Sequence, residues 1–222
     1  MIFQTYPSRD ALMAGLAATI ATELRSALTL GAATLSVPGG TTPGPVFDAL
    51  SVTDLDWSRV YVLLNDERWV DEDSPRSNTR LLHERLLRSN AASATLIPLY
   101  AEAPQPEDKL EELSKAIDPH LPITVLLLGM GPDMHTASLF PGADKLAEAL
   151  APDAPILMAL RAAAAGEPRI TLSARVLIAA QHIHILITGQ DKRDALNRAL
   201  TLTPLEAPIR VVLDQATVHW AE

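Results

Sequence analysis

The sequence has no cysteine. Disulfides, thiolate metal sites and cysteine nucleophiles are therefore excluded, which fits a reducing compartment. Aromatic residues are only 4% of the chain, so the core has to be assembled from Ala, Leu, Ile and Val. Basic residues are in deficit: 18 Lys and Arg against 27 Asp and Glu give a formal charge of −9. Such a surface repels nucleic acid and anionic membranes, and an anion can bind only where local donors overcome the protein's own field. No apolar run is read as membrane-spanning. The N-terminal stretch MIFQTYPSRD lacks the charged-then-apolar order of a signal peptide. Repeats, low-complexity tracts and strongly charged blocks are also missing. The expectation is a soluble, cytoplasmic chain without nucleic-acid or membrane partners.

What is present is ample apolar material, 48% of 222 residues, arranged as short β-branched runs alternating with helical segments. IFQTY reads as a possible edge strand. Ser8 caps a long Ala- and Leu-rich helix that ends before Gly31. ATLSV, RVYVLL, ATLIPLY, PITVLLLGM, HIHILITG and APIRVVLD read as strands, with APILMAL an unassigned apolar run and TVHWAE at the end. PVFDAL, SNTRLLHERLLRS, PEDKLEELSKAI, LSARVLIAA and DKRDALNRAL read as helices. This alternation predicts an α/β domain: a mostly parallel central sheet covered by helices on both faces. Ligands of such sheets bind outside the carboxyl ends of the strands.

Three polar clusters follow directly on strand ends. In VPGGTTPG, Gly39 and Gly40 allow close backbone approach, Thr41 and Thr42 add hydroxyls, and a helix N-terminus points at the same spot. That combination suits a phosphate, although an ordinary strand-to-helix turn uses the same residues. It is neither a Walker loop nor a dinucleotide fingerprint. In NDERWV, Asp66, Glu67 and Arg68 leave a strand, and alternation lets at most two of them line one site. Arg68 can hold an anionic or developing negative oxygen; the alternative is a solvated loop with a local ion pair. In GMGPDMHTASLFPG, His135 sits in a Gly-rich loop with Asp133 near enough to orient it. Histidines ordinarily titrate near ~6.5, which suits a general base. Thr136 or Ser138 is expected to cap a short helix that follows.

Other candidates are weaker. His182 and His184 face one side of a strand, but no third metal ligand is evident, so no metal site is assigned. No G-x-S-x-G elbow is present. Arg169 and Lys192 are candidate extra cations for a phosphate.

GMGPDMHTASLFPG and NDERWV followed by SNTRLLHERLL resemble the two most specific signatures of the 6-phosphogluconolactonases, part of a wider fold family with the glucosamine-6-phosphate deaminases. VPGGTTP, EPRITLS and ITGQDKRDAL are similar to its phosphate loop and C-terminal pattern. The resemblance spans nearly the whole chain, so residues 1–222 are expected to form one lactonase domain with a modified Rossmann-like fold and a possible small antiparallel edge. Met134 stands where the family usually has Gly, and Pro38 where Ser is common.

The resemblance implies hydrolysis of 6-phospho-D-glucono-1,5-lactone, the second step of the oxidative pentose phosphate pathway, with no metal or organic cofactor. It implies His135, Asp133 and Arg68 as catalytic residues. Gly39, Gly40, Thr41, Thr42, Arg169 and Lys192 would bind phosphate, and Asp66 and Asn78 would support the site. Arg68 is left open between phosphate and oxyanion. The partner is a phosphorylated sugar lactone, and the protein a monomer or small homo-oligomer. The rival readings are a sugar-phosphate isomerase or deaminase of the same fold, and a non-catalytic sugar-phosphate sensor.

Overall fold

The computed structural model describes residues 1–163 and 165–222. In chain order the elements are β1 (Ile2–Thr5), α1 (Arg9–Leu28), β2 (Ala33–Val37), α2 (Gly44–Ser51), β3 (Val60–Leu64), β4 (Asp66–Arg68), α3 (Asn78–Arg85), β5 (Thr95–Ile97), α4 (Leu110–Ile117), β6 (Val125–Gly129), α5 (Leu146–Ala149), β7 (Leu157–Leu160), β8 (Arg169–Leu172), α6 (Ala174–Ile178), β9 (His182–Thr188), α7 (Gln190–Ala199), α8 (Arg210–Leu213) and β10 (Thr217–Ala221). Seven strands form the main sheet in the order β1-β10-β9-β6-β2-β3-β5. Every pairing in it is parallel. The other three form a separate antiparallel sheet, β4-β8-β7. The antiparallel element is thus a second small sheet rather than an edge of the main one.

Parallel strands need cover on both faces, and the sequence supplies apolar residues for both. All five residues of β2 are buried, as are Val125 to Leu128 of β6. Helix α1 starts at Ser8, whose side chain accepts the Ala11 N–H at 3.1 Å. Its stripe Leu12, Leu16, Ile20 and Leu24 has no solvent exposure, and it packs on β10, β2 and β6. By length and composition α1 is apolar enough to cross a membrane, contrary to the sequence reading. In the fold that apolar stripe faces the sheet.

The strand order reverses beside β2. From β2 the chain goes to β3 and β5 on one side; β6 then pairs on the other side and the sheet grows through β9 and β10. The loops after β2 and β6 therefore leave the same sheet end next to each other, at a topological switch point. One strand expectation fails. Residues 209–214 are not extended but contain helix α8. Ile209, Val212 and Leu213 are the buried residues of that stretch, at helical spacing i, i+3, i+4. In so short a run the β-branched composition was the weaker guide.

Away from the switch point, a chain of ionisable groups crosses from α1 to the sheet. The Tyr6 hydroxyl lies 2.8 Å from His219 Nδ1, His219 Nε2 lies 3.0 Å from His184 Nδ1, and His184 Nε2 lies 2.7 Å from Glu23 Oε2. Burial, reinforced by any charge on His184 and only partly offset by Glu23, pushes His219 from 6.5 down to about 4. The folded protein then binds fewer protons than the unfolded chain between these values, so stability falls as pH drops through that window. We predict a loss of up to about 3 kcal/mol between pH ~6.5 and ~4 from this group. Urea unfolding of His219→Gln against wild type over that range should show a flatter pH dependence; equal slopes would remove His219 as the cause.

Candidate active site

The polar clusters open onto one cavity of about 410 Å³ at the switch point. Its floor is the turn after β2. Gly39 lies so close to Asn78 that a Cβ there would overlap the Asn78 side-chain amide, and Gly40 has φ 85°. Only glycine fits both demands. Gly39, Gly40 and Thr42 line the cavity. Thr41, expected with them, does not: it is exposed, and its carbonyl accepts the Gly44 N–H at 3.2 Å to close the turn.

A second wall comes from β4. Asp66 and Arg68 line the cavity, whereas Glu67 between them does not and has no solvent exposure. Strand alternation thus selects the pair, as the sequence required. Register then places Arg68 of β4 directly opposite Arg169 of β8. Two cations are so brought side by side. Arg68 Nη1 donates to the Arg76 carbonyl at 2.6 Å and to Asn78 Oδ1 at 2.8 Å. Its Nε is buried and meets no acceptor among the described residues. Arg169 Nη2 donates to the Ala165 carbonyl at 3.0 Å, Nη1 stands 3.9 Å from Asp66 Oδ2, and Nε again has no partner. Burial lowers the pKa of Arg169; Asp66 opposes this and Arg68 adds to it. Buried, unpaired donors beside a cavity mark where acceptor oxygens are wanted.

The third wall is the loop after β6. His135 Nδ1 lies 2.5 Å from Asp133 Oδ1. Burial pushes the Asp133 carboxyl up, but the hydrogen bond and charge of His135 outweigh it and leave Asp133 below the usual range. An ionised carboxylate can only accept, so in the neutral form of the ring the proton belongs on Nδ1 and the lone pair on Nε2. The Phe140 ring packs on the imidazole with centroids 4.2 Å apart, and Arg169 Cζ lies over the Phe140 ring, 5.8 Å from its centroid. Met134 and Ala137, flanking His135 and Thr136, adopt left-handed φ of 65° and 49°. The position where the resembled family has Gly does therefore demand positive φ. Lys192 enters from α7 and donates to the Met130 carbonyl at 2.6 Å; burial lowers its pKa and Asp133 partly restores it.

Thr136 and Ser138 do not cap a following helix. Thr136 donates to the Gly129 carbonyl at 2.9 Å, and Ser138 Oγ donates to Asp66 Oδ2. Both hydroxyls fasten the loop to neighbouring strands instead, and the next helix is α5. Sequence reasoning missed Phe140, although its place beside His135 in the same loop was a usable signal. It also assigned no role to Glu67, whose isolation from solvent only the fold reveals. Among the described residues no three His, Asp or Glu side chains are grouped to hold a metal ion.

A parallel sheet with a cationic crevice at its switch point and an oriented imidazole on one wall belongs to the α/β enzymes that handle small anionic ligands. The chain belongs to the glucosamine-6-phosphate isomerase/6-phosphogluconolactonase family, whose model matches residues 7–220. It is 44% identical to a 6-phosphogluconolactonase of Mesorhizobium japonicum, with 99% of this chain and 94% of that protein covered. A 6-phosphogluconolactonase of Pseudomonas aeruginosa is also 44% identical, over 93% of this chain and 89% of that protein. The crystal structure of a 6-phosphogluconolactonase from Shewanella baltica superposes with a TM-score of 0.97 at 34% identity, covering 100% of this chain and 98% of that one.

The loop geometry generates a paired stability prediction. A methyl at Gly131 would overlap His135 Nδ1 and the Asp133 carboxylate. Gly131→Ala should cost about 1–3 kcal/mol in urea unfolding. Ala137→Gly, which relieves a left-handed alanine, should add about 0.5–1 kcal/mol. The reverse order of the two variants would contradict the loop conformation.

Proposed function

We propose that this chain hydrolyses 6-phospho-D-glucono-1,5-lactone to 6-phospho-D-gluconate, serving the oxidative pentose phosphate pathway in the cytoplasm as a single domain without a metal ion. The observation that carries the reading is one cavity holding both the Asp133-oriented imidazole of His135 and the Gly39–Gly40 turn with its arginines. The names of relatives with over 30% identity support lactone hydrolysis over the isomerase or deaminase alternative.

A δ-lactone is an activated ester, so the site has to deliver water and stabilise charge. His135 Nε2 takes a proton from water, and the resulting hydroxide attacks the carbonyl carbon. Asp133 holds the tautomer and offsets the imidazolium charge that forms. The tetrahedral intermediate collapses by breaking the bond to the ring oxygen, and His135 returns its proton to that leaving alkoxide. The phosphate at the far end of the substrate fixes the carbonyl relative to His135. Amides of Gly39 and Gly40 with the Thr42 hydroxyl surround it, and Arg68, Arg169 and Lys192 supply positive charge. Arg68, left open by the sequence, is assigned to phosphate. Its Nη1 is tethered twice, to the Arg76 carbonyl and to Asn78 beside the Gly39 turn, which holds the guanidinium charge next to the proposed phosphate site. Asp66 and Asn78 hold this arrangement.

His135→Ala should keep the thermal midpoint within a few degrees and lower kcat by about 10²-fold or more, after subtraction of spontaneous lactone hydrolysis. Turnover near wild type would take His135 out of the mechanism.

A further inference from the structure

Glu67 is the one charged residue of β4 that the proposed chemistry does not use, and it is fully buried. Its carboxylate has no cation partner among the described residues. It is satisfied by main-chain N–H groups and one hydroxyl. Oε1 accepts the N–H groups of Arg68 and Asn78, each at 2.8 Å, and Oε2 accepts the Thr79 N–H at 2.7 Å and the Ser77 hydroxyl at 3.2 Å. These donors include the N-terminal amides of α3, where a negative charge is favourable. Yet α3 already has its own cap, since Ser77 Oγ accepts the Arg80 N–H at 3.2 Å. A buried ion is expensive, and capping alone does not call for one.

What the carboxylate adds is a connection. It ties the main chain of β4 to the first residues of α3, and Asn78 carries that tie into the cavity. The Asn78 side chain accepts from Arg68 Nη1 at 2.8 Å, donates to the Asp66 carbonyl at 3.1 Å and abuts Gly39. Arg68 is thereby held at both ends, its main chain by Glu67 and its guanidinium by Asn78.

We propose that Glu67 is a positioning residue: through Asn78 it fixes the Arg68 guanidinium against the Gly39 turn and so sets preference for phosphorylated over unphosphorylated substrates. This rests on the lactone-hydrolase reading above. Glu67→Gln retains size but turns an amide N–H₂ toward N–H donors, so at least one link must break.

The test compares wild type, Glu67→Gln, Asn78→Ala and the double variant on 6-phosphogluconolactone and on unphosphorylated glucono-δ-lactone. Glu67→Gln should raise KM for the phosphorylated lactone about tenfold with a smaller change in kcat. The ratio of kcat/KM for phosphorylated over unphosphorylated lactone should fall by a similar factor. Asn78→Ala should reproduce this, and the double variant should be no worse than the worse single one. Should Glu67→Gln not fold, Glu67→Asp, which keeps the charge but shortens the reach, takes its place. An unchanged ratio, or additive losses in the double variant, would overturn the proposal and leave Glu67 a purely structural anchor. If wild type turns over neither lactone, the hydrolase reading fails. The same variants are then compared by calorimetry with glucose 6-phosphate, where loss of affinity in Glu67→Gln supports the positioning role and equal affinity refutes it.

Discussion

Parallel hydrogen bonding of β2 to β6, with Leu35 beside Val125 and Ser36 beside Leu126, holds the site together. These two strands are the junction at which the sheet grows in opposite directions. Because they run the same way, both send their outgoing loops to one end, and because the chain departs to different sides, no crossover helix fills the gap between those loops. The Gly39 turn and the His135 loop are neighbours for this reason. The cavity is a consequence of strand order before it is a consequence of any side chain.

The second constraint is electrostatic. A chain with a net charge of −9 has to present a cationic pocket against its own field. It does so by register: the small antiparallel sheet sets Arg68 opposite Arg169, and α7 adds Lys192 from another direction. These cations are held by nearby acceptors: the carbonyls of Arg76, Ala165 and Met130, the Asn78 side-chain oxygen and the Asp66 carboxylate. The Nε donors of Arg68 and Arg169 are buried and unpaired among the described residues. Rigid donors without partners need no reorganisation when an anion arrives, which is the arrangement that stabilises charge most effectively in a partly dry site.

Much of this was legible in advance. The strand and helix alternation, the Ser8 cap and the limit of two β4 side chains on one face all follow from local periodicity and capping chemistry. The pairing of His135 with Asp133 needed only a two-residue separation in a turn. The misreadings also share a cause. Residues 209–214 were too short a run for composition to decide between strand and helix. Thr136 and Ser138 carry hydroxyls that cap helices when nothing else is near, but here the Gly129 carbonyl and the Asp66 carboxylate are nearer. Thr41 lies exposed outside the cavity, where its carbonyl closes the turn by accepting the Gly44 N–H.

The sequence by itself determined the fold class, the exclusion of cysteine chemistry and the identity of nearly every polar residue in the cavity, because these rest on interactions within a few residues. Only the tertiary structure decided that Gly39, Gly40, Thr42, Asp66, Arg68, His135, Arg169 and Lys192 line one cavity. Those facts depend on strand order and register between segments 90 to 105 residues apart, and hydrogen bonds across a sheet leave no periodic trace in either partner's sequence.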